Sequence, residues 1–362
     1  MKKLLSIALA AALALSMTAC GGDAKETTAA PAETTTAAAA DTTAAAEETT
    51  AAPAEAEYQW TIGTSATDAS AIGQTMQYLA DIMAEKSGGR IQVTCYPNSQ
   101  LGSDAELVEG AQMGSVTMVI GNTAPQVAFV PALALFDLPN VYDSIDTAQT
   151  VLASFTEKMG PSFEGTDLHL GQIFPTVFRT MSCSKEIRSI DDFDGIKIRT
   201  MTNEFHMAYW NELGATATPV DFSELYIGLQ QGLVDAQENP VDIFLSSKFN
   251  EQQAYLIHTK HIAFVATILM NQATYDALPD DLKAVVDECF AEAGAYGTKI
   301  AQEAEAGNLA KAEELGVTII ELDDATIAAM VEKAQPVYDS IREAVGTELV
   351  DEYMAAIDAA SK

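Results

Sequence analysis

Arg199 lies near the end of a short segment, Ile196–Thr200, in which apolar and cationic side chains alternate. This alternation predicts a β-strand with Ile196 and Ile198 on one face and Lys197 and Arg199 on the other. Arg199 falls at the carboxyl end of the strand, and ligands bind beyond such ends in open α/β sheets. The chain has only five arginines against 52 acidic residues, and a guanidinium can hold a carboxylate through two parallel hydrogen bonds. The segment therefore predicts an anion-binding arginine, although the residue alone also fits a structural salt bridge.

The segments that flank Arg199 follow one another in a specific order. They are Arg179, Gly195–Arg199, Gly214–Ala215, Phe222–Tyr226, Gln230–Asp235 and Glu238–Pro240. The same series continues elsewhere with Ser87–Ile91, Tyr96–Gly102, Asp137–Pro139 and His258–His261. Together these segments resemble the extracytoplasmic solute receptors of TRAP transporters, the DctP family, from about residue 58 to the end of the chain. The order of the matches is more specific than any one motif.

The resemblance implies roles for four residues of this region. Arg199 matches the family's clamp on the ligand carboxylate, and Asn239 matches a residue that donates an amide hydrogen bond to the same group. Arg179 is implied either to contact a ligand oxygen or to anchor its neighbours. Phe222 is implied to form a wall of the pocket, although an ordinary core position would suit it equally well.

Three further positions match residues that contact the rest of the ligand in relatives that bind sugar acids. They are Ser65, Asp104 and Asn122. The chain departs from sialic-acid binders, which have Glu at the position of Asn122 and Arg at the position of Pro125. This departure argues against sialic acid. A hydroxylated sugar acid and a small C4-type dicarboxylate both remain open as ligands.

The pattern of apolar residues predicts an α/β fold. Ile72, Met76, Leu79 and Met83 have helical spacing, and Thr67 or Asp68 is expected to cap that helix. Predicted strands near 60–63, 91–95 and 116–120 alternate with helices, which favours a parallel sheet. A capping-box pattern at Ser103–Glu106 predicts the start of the second helix.

The resemblance implies a two-lobed fold like that of periplasmic binding proteins, the Venus-flytrap arrangement, in which each lobe is a sheet flanked by helices. Lobe I is expected to comprise 58–177 and 264–315, and lobe II 178–263 and 316–362. The lobes are therefore discontinuous in sequence, with hinges where the chain crosses between them. Long helices are expected towards the C-terminus, with a break or kink at Pro336.

The N-terminus has the composition of a targeting segment. Two lysines precede an apolar run over residues 4–15, and small residues lead to Cys20. This resembles a bacterial lipoprotein signal over residues 1–20 in which Cys20 becomes lipidated; an ordinary secretory peptide is the alternative. Residues 21–57 are rich in Ala, Thr, Glu and Pro and have little to bury, which predicts a disordered acidic tether.

Charge and residue spacing exclude several functions. A formal net charge of −33 disfavours nucleic-acid partners. His258 and His261 lack further ligands at metal-binding spacing, and no phosphate-binding glycine loop or hydrolase motif is present. Cys95, Cys183 and Cys289 give no indication of a disulfide. We therefore expect neither a metal, nor a cofactor, nor catalysis.

These observations predict an extracytoplasmic, lipid-anchored receptor that captures a small organic acid. The resemblance implies delivery to the small and large integral-membrane subunits of a TRAP-type transporter. Two alternatives stay open at this point. One is a receptor that reports its ligand to a membrane sensor kinase, and the other is a secreted enzyme, for which the sequence offers no nucleophile or acid–base pair near Arg199.

Overall fold

The structure of the protein is a computed structural model that describes residues 56–362. The predicted signal segment, its Cys20 and nearly all of the predicted tether lie outside the described residues. The strands are β1 (Tyr58–Gly63), β2 (Ile91–Tyr96), β3 (Met118–Asn122), β4 (Leu168–Phe178), β5 (Thr180–Cys183), β6 (Lys197–Thr200), β7 (Thr216–Pro219), β8 (Ala236–Asn239), β9 (Tyr255–His258), β10 (Ala263–Asn271) and β11 (Thr318–Glu321). The helices are α1 (Ala71–Lys86), α2 (Asp104–Met113), α3 (Ile145–Met159), α4 (Glu204–Glu212), α5 (Phe222–Gln230), α6 (Val241–Ser246), α7 (Gln272–Asp276), α8 (Asp280–Glu314), α9 (Asp324–Lys333), α10 (Gln335–Val345) and α11 (Thr347–Ala360).

The first sheet has the strand order β2-β1-β3-β10-β4. Its β1, β2 and β3 are parallel, as predicted from the alternation of strands and helices. The sheet as a whole is mixed, because β10 lies antiparallel to both β3 and β4. All nine residues of β10 are buried, which explains why seven of them are apolar.

The second sheet has the strand order β11-β9-β5-β8-β6-β7. The chain enters it between β4 and β5, at Arg179, leaves it between β9 and β10, and returns after α8. Helices pack against both sheets, which gives the two-lobed α/β fold that the resemblance implied. The residue ranges proposed for the two lobes stay predictions.

Local sequence signals explain where the helices begin and end. Ser103 and Glu106 form the predicted capping box at the start of α2. The predicted cap of α1 was wrong: neither Thr67 nor Asp68 caps this helix, because Ser70 accepts the hydrogen bond from the Gly73 amide. The expected break near Pro336 occurs, since α9 ends at Lys333 and Pro336 lies in the first turn of α10.

Two elements join the layers of the two sheets. The 35-residue α8 contributes Phe290 to the core beneath the first sheet and Ala312 to a cluster with Phe244 beside the second. Asp242, at the start of α6, accepts a hydrogen bond at 2.8 Å from the backbone amide of Ala71, the first residue of α1. The first turn of α1 is therefore capped in part by a side chain that follows a strand of the other sheet.

No helix within residues 56–362 combines the length and apolarity needed to cross a bilayer.

Candidate functional site

A cavity lies between the two sheets, where β1, β3, β6 and β8 end. The space between its walls, with the solvent at its mouth included, is about 390 Å³. All of the predicted ligand-binding residues line it: Ser65, Asp104, Asn122, Arg179, Arg199, Phe222 and Asn239. The fold thus brings to one place side chains that are far apart in the sequence.

Arg199 is a buried cation without a carboxylate partner. Its residue is 2% exposed, whereas Lys197, two positions earlier on the same face of β6, is exposed. The Arg199 Nε donates to the carbonyl oxygen of Val220 at 2.7 Å, and no ion pair to an acid forms among the described residues. Burial lowers the pKa of Arg199 to about 10, so the guanidinium is still charged at neutral pH. A buried charge is costly unless it is paired, which makes this end of the cavity complementary to an anion.

Phe222 lies beside that guanidinium. The Cζ atom of Arg199 is 5.9 Å from the centre of the Phe222 ring, within the range of a cation–π contact. The ring also packs edge-on against Phe249, at 5.9 Å between centroids. Phe222 is therefore both a wall of the cavity and part of the packing behind it, so the two predicted alternatives are combined.

Arg179 is as deeply buried, but its charge is neutralised. It is 1% exposed, and its Nε and Nη2 atoms donate to the carboxylate of Glu238, which is fully buried. Nη2 also donates to the side-chain oxygen of Asn239 at 3.0 Å. Arg179 thus anchors its neighbours, one of the two predicted roles. Its Nη1 atom is buried and has no hydrogen-bond partner, so one donor of this cavity-lining residue is unused.

A histidine contacts the same Glu238 oxygen, Oε2, that accepts from Arg179 Nε. Burial by itself raises the pKa of Glu238, but Arg179 and the hydrogen bond from His261 outweigh it and hold that pKa well below its usual range. Burial lowers the pKa of His261, so we assign a neutral imidazole. In that state its Nε2 donates to Glu238 at 3.2 Å and its Nδ1 accepts from the Thr259 hydroxyl at 2.9 Å.

The two asparagines of the cavity are held by the protein but keep some hydrogen-bonding capacity. The Asn239 amide donates to the Gln237 side chain at 2.6 Å, in addition to accepting from Arg179. The Asn122 amide donates to the carbonyl oxygen of Val265 at 3.1 Å and accepts from the Ala124 backbone at 2.9 Å. Each NH₂ group therefore has a second hydrogen for which no hydrogen bond within residues 56–362 is observed.

Ser65 and Asp104 form a polar pair in the opposite wall. The Ser65 hydroxyl donates to Asp104 Oδ1 at 2.6 Å. Asp104 is the first residue of α2, where the helix dipole favours a negative charge. Burial nevertheless raises the pKa of Asp104 and outweighs the opposing effects of Ser65 and Arg199.

Sequence reasoning missed the apolar part of the lining. Ile72, Met201, Ile243 and Phe264 complete the wall of the cavity. Met201 lies two positions after Arg199, so strand alternation could have indicated it. The others belong to ordinary apolar runs, from which nothing in the sequence separates cavity positions from core positions.

The histidines, acids and cysteines of the described residues form no group that could hold a metal ion. His258 pairs with Glu321 outside the cavity, and His261 is engaged by Glu238 and Thr259. Cys95, Cys183 and Cys289 are free thiols, in keeping with the absence of a disulfide signal in their spacing.

The fold and the cavity define a two-lobed binding protein whose cleft presents a guanidinium to a small anion. The chain belongs to a known family of this kind. Residues 62–344 match the DctP model, described as bacterial extracellular solute-binding protein, family 7.

Similar proteins agree with this assignment. The C4-dicarboxylate-binding periplasmic protein DctP of Rhodobacter capsulatus is 32% identical over 282 residues, covering 76% of this chain and 84% of that protein. The sugar acid binding protein DctPAm of Advenella mimigardefordensis, solved in complex with galactonate, is 29% identical with a TM-score of 0.81, covering 83% of this chain and 98% of that one. A TRAP periplasmic solute binding protein of Sulfurospirillum deleyianum with bound succinate is 27% identical with a TM-score of 0.78, covering 83% and 99%. The family and these relatives are binding proteins.

Proposed function

We propose that this protein is a receptor that captures a small organic acid by its carboxylate and delivers it to a TRAP-type membrane transporter. The observation that carries the proposal is Arg199, which is buried in the cleft without an acidic partner. The carboxylate of the ligand supplies the counter-charge that Arg199 lacks in the protein, so binding forms a buried ion pair.

Three donors converge on the bound carboxylate in this proposal. The guanidinium of Arg199 forms the ion pair, while the free Nη1 of Arg179 and the second amide hydrogen of Asn239 donate to the same group or to the oxygen beside it. Phe222 and Phe264 close the apolar sides of the cleft. Hydrogen bonds to a charged group contribute about 1.5–3 kcal/mol each, so these donors can supply most of the affinity for a small acid.

The similar proteins support the ligand class and the transport role. Their descriptions name a C4-dicarboxylate, galactonate and succinate as ligands. The proposal includes no chemical change of the ligand, since the family and the similar proteins are binding proteins. It also includes anchoring outside the cytoplasm through lipidated Cys20 and the acidic segment after it, which rests on the sequence alone.

A ligand screen tests the proposal. Organic acids and sugar acids are scanned by thermal shift, because a ligand that binds only the folded protein raises its melting temperature, and hits are measured by calorimetry. Arg199→Met is expected to weaken binding of each hit about a hundredfold or more, since 1.4 kcal/mol corresponds to tenfold. Unchanged affinity in this variant would remove Arg199 from the site, and turnover of a hit would favour an enzyme instead.

A further inference from the structure

We infer that Asp104 restricts this receptor to acids that carry one carboxylate and hydroxyl groups, and excludes dicarboxylates. The inference rests on the proposed function and concerns the end of the ligand that does not touch Arg199. It chooses between the hydroxylated sugar acid and the dicarboxylate, which the sequence leaves equally open.

The first step concerns the position of Asp104. Its carboxylate lines the same cavity as Arg199 and also an adjoining outer chamber of about 810 Å³ of empty space. Arg199, Met201 and Phe222 line both spaces. Asp104 Oδ1 accepts from Ser65, and Oδ2 makes no observed hydrogen bond to the described residues. A ligand bound at Arg199 therefore meets a carboxylate with an unused acceptor.

The second step is a count of charge. Arg179 and Arg199 are the only cationic side chains that line either space within the described residues, and Arg179 is paired with Glu238. Once one ligand carboxylate occupies Arg199, no cation is left for a second. The second carboxylate would face Asp104, and Glu109 and Asp221 add negative charge in the outer chamber.

The third step is the chemistry that Asp104 does accept. Its Oδ2 accepts a hydrogen bond, while Asn122 nearby still has an amide hydrogen to donate. A hydroxyl group both donates and accepts hydrogen bonds, so it can donate to Asp104 and accept from Asn122, whereas an ammonium group only donates. A hydroxylated monocarboxylate therefore suits both ends of the cleft.

Protonation gives a second signature. Arg199, Arg179 and Asp221 face Asp104 from other elements, and Glu109 lies one turn on along its own helix. Burial raises the pKa of Asp104, so acid neutralises it more readily than an exposed aspartate. Arg199 lowers the pKa of Asp104, so any carboxylate that neutralises Arg199 favours some proton uptake. Binding of a dicarboxylate should take up more protons and strengthen more as the pH falls than binding of a monocarboxylate.

The test uses acids that differ only in their terminal group. Calorimetry compares D-erythronate with tartrate, arabinonate with arabinarate, and galactonate with galactarate. In each pair that shows binding, we expect the monocarboxylate to bind roughly a hundredfold more tightly, since unscreened repulsion between like charges a few ångströms apart is worth that much. Asp104→Asn, which keeps the shape and removes the charge, should reduce the preference to less than about tenfold.

Controls separate this inference from the proposed function. Glu109→Gln removes a charge from the same helix but at an exposed position, and should change the preference by less than about threefold because exposed charges are screened. A wild-type protein that binds a dicarboxylate at least as tightly as the monocarboxylates, or an Asp104→Asn variant with an unchanged preference, overturns the role of Asp104. If no acid of any kind binds, the proposed function itself is wrong.

Discussion

The two arginines of the cleft are alike in burial and unlike in partners. Two nitrogens of Arg179 donate hydrogen bonds to the Glu238 carboxylate, and one of them also donates to Asn239. Arg199, in contrast, donates a single hydrogen bond to the backbone carbonyl of Val220. The first arginine is therefore part of the protein's own ion-pair network, and the second is open to a ligand. The two arginines match the same family site, but their substitution should have different effects. Loss of Arg179 should mainly lower the stability of the fold, and loss of Arg199 should mainly lower the affinity for the ligand.

The difference between the two arginines is tested most directly by removing each guanidinium in the ligand-free protein. Arg179→Met leaves Glu238 buried without its cation, which should lower the free energy of unfolding by about 3–5 kcal/mol. Arg199→Met removes an unpaired charge and one bond to a carbonyl, so its loss should stay below about 1.5 kcal/mol. Urea denaturation of both variants measures the difference. Equal losses would mean that Arg199 is also a structural residue.

Acid should act on the Arg179 side of the cleft. The pKa of Glu238 lies well below its ordinary value of 4.5 in the folded protein, so its contribution to stability is present above about pH 4.5 and is lost as the pH falls towards the folded pKa. The stability of wild type relative to Glu238→Gln should therefore be constant from pH 7.5 to about 5.5. Below about pH 4 it should fall by about 1.4 kcal/mol per pH unit.

His261 contacts Glu238, which raises the pKa of this imidazole, so its titration differs between the two proteins. The pair is therefore also compared in the His261→Gln background, where this imidazole is absent. Unfolding curves at closely spaced pH values measure the slope. A stability difference that stays flat down to pH 3.5 would show that folding does not lower the pKa of Glu238, and the pairing with Arg179 would have to be revised.

A smaller effect is expected on the Arg199 side. Phe222→Leu removes the ring that lies 5.9 Å from the Arg199 guanidinium but keeps an apolar wall. Cation–π contacts are worth about 0.5–2 kcal/mol, so binding of the organic acid found by screening should weaken about threefold to tenfold. Ile227→Ala, at an exposed position of the same helix, is the matched control and should leave the affinity unchanged. A Phe222→Leu variant with wild-type affinity would assign the ring to packing alone.

The sequence predicts which residues line the cleft better than it predicts the hydrogen bonds and ion pairs that these residues form with one another. The residue types at strand ends and the ordered family matches identify the residues that form the polar lining of the cavity. They do not reveal that Glu238 neutralises Arg179, because that pairing depends on the antiparallel register in which Met181 lies opposite Glu238. Register between distant strands is set by the whole fold and leaves no local signal.

The same limit applies to the first sheet, whose mixed strand directions the sequence does not predict. The apolar run of β10 indicates a buried strand, but its direction depends on the chain returning from the second sheet. Short-range signals behave differently. The capping box at Ser103 needs only residues three apart and is predicted correctly, while the choice of Ser70 over Asp68 depends on where the first turn of α1 begins.

The hydrogen bond from the Ala71 amide to Asp242 has a practical consequence. A single backbone proton at the start of α1 is shielded by a carboxylate that belongs to the layer of the other sheet. Any movement that parts the layers uncovers this proton to water, even if every helix and strand stays intact. The rate at which the Ala71 amide proton exchanges with deuterium therefore reports how often the cleft opens.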